Sequence, residues 1–396
     1  MTWEVRQGDC REAMATLHVS SVDAIVTDPP YGLAFMGKAW DHGVPGLPFW
    51  TEAMRVAKPG AHLVAFGGTR TYHRLTCAIE DAGWEIRDCL MWLYGSGFPK
   101  SLDASKAIDK AAGAEREDLG PNPNQAGRTS DMRGGRYGRA ALIEDAGEIS
   151  RITEPATDAA RQWAGWGTAL KPAWEPIILA RKPLVGTVAA NVLEHGTGAL
   201  NVDGCRIEHD EECREMAPQK NGLHNEKLRQ GGRHHAVLEL KPAGRWPANL
   251  VLDEEAAAML DEQSGKSKSP PVGSMGGGSN SHSIYGDYAG QRHGNGFGDS
   301  GGASRFFYTA KASSGERHYA GKNAHPTVKP VDLMRWLVRL VTLPGGLVLD
   351  PFTGSGSTGV AALAEGARFL GIELDPEHVA TARRRIAGPL FAEASA

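Results

Sequence analysis

Apolar positions along the chain form short strand-length runs that alternate with stretches in which they recur every three or four residues. Residues 2–8 alternate as a strand, and Asp9 stands where it can cap a helix over 11–17. Val22, Ala24, Ile25 and Val26 make a β-rich run that reads as a buried strand over 22–27. A helix over 49–57, closed by Lys58-Pro59-Gly60, leads to an apolar strand over 61–66. Thr69 is placed to cap a helix over 70–82, whose Leu75, Ala78, Ile79 and Ala82 share one face, and Gly83 stops it. A strand over 85–93 follows. Strands and helices in regular alternation predict an α/β fold with a doubly wound, mostly parallel sheet. Sites in such sheets lie at the carboxyl ends of strands.

The pattern weakens after Gly95. Residues 101–172 hold one helical stretch, 101–112, then polar sequence with Arg133, Arg136 and Arg139. Residues 174–180 read as a strand again. Between 184 and 320 long apolar runs are scarce. This part carries a basic patch with Lys227, Arg229 and Arg233, and a Gly/Ser-rich tract over 264–302 that cannot bury a core alone and is expected to be mobile. Order returns with a helix over 331–341 and a short strand over 347–349, followed by Asp350-Pro351-Phe352-Thr353-Gly354-Ser355-Gly356. A helix over 357–365, a strand over 368–372 ending at Glu373, and a helix opened by Asp375-Pro376 complete the chain. The expected organisation is one domain in two halves, 1–100 and 321–396. They are joined by a strand at 173–183 and interrupted by insertions at 101–172 and 184–320.

Composition narrows the class. A hydrophobic content of 41% over 396 residues supplies a sizeable core. No run approaches a membrane span, and the first residues lack a signal-peptide pattern. Five scattered cysteines argue for a reducing, cytoplasmic setting. The net charge of −4 excludes a globally basic nucleic-acid binder, so any such contact must use local basic stripes. Cys205, His209 and Cys213 match no common zinc spacing, so no metal is expected. Cys10 reads as a small buried residue rather than a nucleophile.

Two stretches carry chemistry. The first is Asp28-Pro29-Pro30-Tyr31, at the tip of the strand over 22–27. Two prolines end the ladder and leave an extended, rigid backbone. A carboxylate (Asp28), a free carbonyl (Pro29) and an aromatic ring (Tyr31) suit a planar group bearing an exocyclic NH2. Two acceptors holding both hydrogens would free the nitrogen lone pair for attack on a methyl donor. The second stretch is the loop with Gly354, Gly356 and Gly359, a G-x-G-x-x-G between strand and helix, with Glu373 placed for a ribose. Those features fit both NAD and S-adenosylmethionine (SAM). Asp350 favours SAM, because a carboxylate repels a pyrophosphate but pairs with the ammonium of a methionine moiety. Thr327 and Lys329, at a helix start, are placed to receive the methionine carboxylate.

Together these stretches resemble the amino-group DNA methyltransferases, the N6-adenine and N4-cytosine family that uses SAM. Asp28-Pro29-Pro30-Tyr31 matches the family's catalytic tetrapeptide and Phe352-Thr353-Gly354-Ser355-Gly356 its cofactor loop. His325-Pro326-Thr327-Val328-Lys329-Pro330 is similar to the helix-start motif before that loop. Gln7-Gly8-Asp9-Cys10 is similar to the segment that touches the cofactor's adenine. Catalytic motif first and cofactor loop last is the permuted order called the β group, which points to DNA as substrate. The resemblance implies a seven-stranded, Rossmann-like sheet with one antiparallel strand, for which 174–180 is the candidate, and an irregular target-recognition insertion. It implies a base flipped out of the duplex, stacked on Tyr31 and methylated directly. Asp at the head of the tetrapeptide goes mostly with adenine N6 in that family. The region 184–320 would read DNA, through Lys227, Arg229 and Arg233, and the insertion at 101–172, with Arg133 and Arg136, is the next candidate. The partners implied are double-stranded DNA and, in a restriction-modification pair, a cognate endonuclease; the chain would act as a monomer or homodimer. An NAD oxidoreductase and a catalytically silent DNA-binding module remain the alternatives from other classes.

Overall fold

Tight turns and buried apolar runs build one large sheet. The structure, a computed structural model, describes residues 2–33, 43–95, 101–121, 151–207, 244–268, 299–310 and 328–388. Among the described residues nine strands form the main sheet: β1 (Trp3–Gln7), β2 (Val22–Thr27), β3 (Ala57–Phe66), β4 (Glu85–Leu93), β5 (Trp174–Arg181), β6 (Leu250–Asp253), β7 (Tyr308–Ala310), β8 (Leu347–Asp350) and β9 (Arg368–Glu373). Their spatial order is β1-β9-β8-β2-β3-β5-β4-β6-β7. Every neighbouring pair is parallel except those that β5 makes with β3 and β4.

The expected antiparallel strand at 174–180 is therefore present. The sheet has two strands more than the seven implied by the resemblance. Both come from 184–320: β6 and β7 extend the edge beyond β4. At four and three residues they are too short to show a period, and hydrogen bonding to an existing edge stabilises them.

Helices cover both faces. On one, α1 (Cys10–Ala15), α2 (Leu47–Val56) and α3 (Tyr72–Asp81) bring Met14, Trp50, Val56, Leu75 and Ile79 onto Ile25, Leu63, Ile178 and Leu349. On the other, α4 (Val331–Val341), α5 (Ser357–Ala364) and α6 (Pro376–Ile386) pack Leu333, Leu337, Val360 and Ile386 against Ala24, Val26, Val64 and Val348. Adjacent β2 residues thus serve opposite cores, which is why the strand reads as a continuous apolar run. Each fully buried leucine of α4 contributes roughly 1.5–3 kcal/mol.

Two element boundaries differ from the sequence reading, the start of α3 and the start of β3. The predicted cap Thr69 lies outside α3, which begins at Tyr72 after Thr71. The Thr71 hydroxyl does not cap the helix; it donates to the Tyr31 carbonyl at 2.6 Å. Lys58-Pro59-Gly60 does not separate helix from strand, because β3 already starts at Ala57 and absorbs these residues in a register shift against β2.

Gly359 lies where α5 crosses α6. A Cβ added there would sit 2.5 Å from Ile386 Cδ1 and 2.7 Å from Phe369 Cε1. Gly359→Ala is expected to lower unfolding free energy by about 1–3 kcal/mol through overpacking, read by urea denaturation. An unchanged midpoint would show that the two helices part freely.

Candidate active site

Strand order reverses between β2 and β8: the chain steps outward from β2 to β3 on one side and from β8 to β9 on the other. That switch point opens a crevice at the carboxyl ends, and both motifs lie there. Val348 and Leu349 pair with Ala24 and Ile25, so the tips of β2 and β8 stand side by side. Thr27 Oγ1 donates to Asp350 Oδ1 at 2.6 Å across 323 residues of sequence. The Thr358 hydroxyl, from α5, donates to the other oxygen at 2.6 Å, and the Phe352 amide adds 3.1 Å to the first. Asp350 is 1% exposed. Burial pushes its carboxyl up to about 7 against the pull of those donors.

Asp28 extends from the β2 tip into a four-membered cluster. Lys329, immediately before Pro330 and α4, places its ammonium 2.7 Å from Asp28 Oδ2 and 3.3 Å from Glu175 Oε2. The Tyr31 hydroxyl lies 2.9 Å from Asp28 Oδ1 and 3.0 Å from Glu175 Oε2, and Lys329 donates to its oxygen at 3.1 Å. Lys329 is 7% exposed and sits over the rings of Phe66 and Tyr31, 4.9 and 5.3 Å from their centroids. Burial alone would lower its pKa; the charges of Asp28 and Glu175 more than reverse this, and the ammonium stays protonated. Burial, then the same two carboxylates, holds the Tyr31 hydroxyl well above its ordinary range.

Two predicted site residues have partners here that the sequence did not show. Lys329, read as a partner for the methionine carboxylate, pairs with Asp28 and Glu175, two partly buried carboxylates that flank it. Tyr31, read as a stacking platform, turns its hydroxyl into the cluster. Its ring is backed by Gly68, where an added Cβ would approach Cδ2 to 3.1 Å.

The glycine loop is braced from behind. Arg385 of α6, 8% exposed, donates to the Ser355 carbonyl at 2.8 Å and to its hydroxyl at 2.6 Å. Gly356 has φ +85°, and a Cβ there would meet Ala382 at 3.0 Å, so this predicted ligand glycine also has a packing reason. Gly354, with φ +52°, donates its amide to Glu373 Oε2 at 2.8 Å, while Asp375 N donates to Oε1 at 2.9 Å. Burial would raise Glu373, but His378 and those amides win and hold its carboxyl below the usual range. Phe352 packs beside Phe49 and Trp50, with centroids 6.0 and 6.3 Å away.

On β1's side, Asp9 caps α1 through the Arg11 amide at 2.8 Å and pairs with the Arg11 guanidinium at 2.7 Å. Cys10 is 6% exposed, and burial pushes its thiol up to about 12, which makes it inert. Acids thus stand at or just beyond the carboxyl ends of three neighbouring strands, β8, β9 and β1. That set of acceptors fits a cationic, hydroxyl-bearing nucleoside such as SAM and opposes a pyrophosphate.

Pro29 is buried and Pro30 half-buried beside Asp28. Thr327, Arg133, Arg136, Lys227, Arg229 and Arg233 lie outside the described residues, as does most of the Gly/Ser tract. Sequence reading missed Glu175, Thr71 and Thr358. For Glu175 the available signal is a lone acid opening an otherwise apolar strand. A cavity of about 240 Å³ lined by Asp23, Lys58, His195, Thr342 and Arg368 opens at the amino ends of the strands, away from this chemistry. Among the described residues no helix is long and apolar enough to cross a membrane, and no acid, His or Cys cluster is arranged to hold a metal.

A doubly wound sheet with an acid-Pro-Pro-Tyr tip beside a glycine loop defines a class of nucleoside-binding transferase folds. The DNA methylase family model matches residues 22–384, and the chain belongs to this N6/N4 DNA methylase family. Type II methyltransferase M2.DpnII of Streptococcus pneumoniae is 40% identical over 79 residues, 20% of this chain and 29% of that protein. DNA adenine methyltransferase YhdJ of Escherichia coli K12 is 44% identical over 62 residues, 16% and 21% of the two chains. Type II methyltransferase M.HindIII of Haemophilus influenzae is 23% identical over 326 residues, 81% and 62%. The chain thus spans less than two thirds of the length of each of these relatives. Among solved structures, M1.HpyAVI superposes with a TM-score of 0.41 at 14% identity, covering 98% of this chain and 99% of that one. PvuII DNA methyltransferase, cytosine-N4-specific, gives 0.45 at 14%, covering 99% and 89%.

Proposed function

We propose that the chain is a site-specific DNA methyltransferase that moves a methyl group from SAM to the exocyclic amine of a flipped base, adenine N6. One observation carries the reading: Asp28, at the tip of β2, stands one strand away from the β8 glycine loop, and the Thr27–Asp350 hydrogen bond locks the two tips together. An amine held by Asp28 is thereby positioned beside the loop, and alignment is the main source of rate in direct transfer.

SAM, when bound, supplies the electrophilic methyl group. Glu373 and Asp9 would hold its adenosine, Phe352 its ring and Asp350 its ammonium. Asp28 orients the target amine and accepts its N–H. The Pro29 carbonyl is the second acceptor of the proposed pair. Thr27 does not compete for this role: its hydroxyl is spent on Asp350, so the acceptor at the tip is the Asp28 carboxylate. The region 184–320, outside strands β6 and β7, is assigned to target recognition, with Lys227, Arg229 and Arg233 on DNA phosphates; Arg133 and Arg136 of the 101–172 insertion are the next candidates.

Expression in a methylation-free host, followed by modification-sensitive sequencing and nucleoside mass spectrometry, tests this. N6-methyladenine at one recurring sequence is expected. N4-methylcytosine without N6-methyladenine would overturn the choice of base. No modified base at all would overturn the activity and favour a silent DNA-binding module.

A further inference from the structure

Both oxygens of Asp28 already have donors: Lys329 on Oδ2 at 2.7 Å and Tyr31 on Oδ1 at 2.9 Å. Each oxygen has a further lone pair, so a target amine that binds there competes with both donors for Asp28 and loosens their hold. A displaced ammonium that is 7% exposed cannot fall back on bulk water, and leaving it unpaired is costly. The structure supplies an alternative. Glu175 Oε2 already lies 3.3 Å from the Lys329 ammonium and 3.0 Å from the Tyr31 hydroxyl. Tyr31 has one proton for two nearly equidistant carboxylates, so it changes partner by turning its O–H bond. Lys329 has three N–H bonds and needs only a small shift.

We propose that Glu175 is a positioning residue that receives the Lys329 ammonium and the Tyr31 hydroxyl from Asp28 as the target amine arrives. The inference rests on the methyltransferase reading above. A glutamate suits the task because both oxygens only accept. A glutamine of the same shape keeps one acceptor but lacks the charge, and leaves the ammonium on Asp28. The side chain of Glu175 is 21% exposed, so it keeps contact with solvent while Asp28 is covered by the base. Its place at the mouth follows from strand direction. β5 runs against its neighbours, so its first residues lie where β3 and β4 end: Glu175 pairs with Trp92, and Ile177 with Phe66.

The test is single-turnover methyl transfer into a duplex carrying the chain's own mapped site, with wild-type protein, Glu175→Gln, Glu175→Asp, Lys329→Met and the Glu175→Gln/Lys329→Met double variant. Glu175→Gln is expected to slow transfer by about 30-fold or more, with SAM affinity within about threefold of wild type. Glu175→Asp, which keeps the charge, is expected to retain at least about a third of the rate. Because Glu175 acts through Lys329, its substitution should cost less than about threefold in the Lys329→Met background. Additive losses would overturn the assignment, as would a Glu175→Gln rate close to wild type or equal losses in the Gln and Asp variants. If Lys329→Met is too slow to time, the Gln and Asp pair decides. If Glu175→Gln does not fold, Glu175→Asp decides, and a rate below about a tenth of wild type overturns the assignment. A wild-type chain that methylates no DNA would remove the underlying reading and this inference with it; the other outcomes touch the inference alone.

Discussion

Asp28→Ala is expected to slow methyl transfer by at least about a thousandfold while leaving SAM affinity within a factor of about three. A hydrogen bond to a charged group is worth roughly 1.5–3 kcal/mol, or about ten- to a hundredfold in rate. A misplaced nucleophile adds on the order of a hundredfold. Asp28 is linked to the cofactor loop through its neighbour Thr27, whose bond to Asp350 the substitution leaves in place, and through its charge, a minor contributor to the raised Asp350 carboxyl. Lys329 keeps Glu175 as a partner, so the fold should survive. Single-turnover assays paired with calorimetry of SAM binding check both halves. A variant retaining more than about a tenth of the rate would remove Asp28 from its role.

Asp350→Asn should move stability and binding in opposite directions. Burial raises the Asp350 carboxyl from 3.8 to about 7 in the folded chain. The folded state therefore keeps a proton that the unfolded chain releases, and stability falls as pH rises between those values. Below 3.8 the penalty vanishes; above 7 it is complete, at about 4 kcal/mol. Asparagine has nothing to ionise, and the Thr27 and Thr358 hydroxyls can still bond to it. The variant should melt several degrees above wild type at pH 8, with the difference closing towards pH 4. It should also bind SAM about tenfold or more weakly, having lost the carboxylate placed for the ammonium. A melting difference independent of pH would show that Asp350 is ionised throughout. Unchanged SAM affinity would confine Asp350 to joining the strand tips.

Much of this architecture is written locally. Two prolines must end β2 wherever it lies, and a glycine loop between an apolar strand and a helix must form a tight turn. Asp28, Asp350 and Glu373 could therefore be placed at strand tips from sequence alone, and with them the doubly wound class. Local rules were less secure at element starts: Thr69 and Thr71 are equally good caps on paper, and the Tyr31 carbonyl claimed the second hydroxyl. The partners of the tip residues were out of reach. Thr27 meets Asp350 across 323 residues, and Lys329 meets Asp28 across 301. Such pairings depend on sheet order, and a chain with the same periods could have stacked its strands otherwise. Glu175 makes the point most sharply. Its sequence says only that an acid opens an apolar strand, and a parallel strand would have carried that acid to the far edge of the sheet. The antiparallel course of β5 alone puts it beside Asp28, because an antiparallel strand begins where its parallel neighbours end.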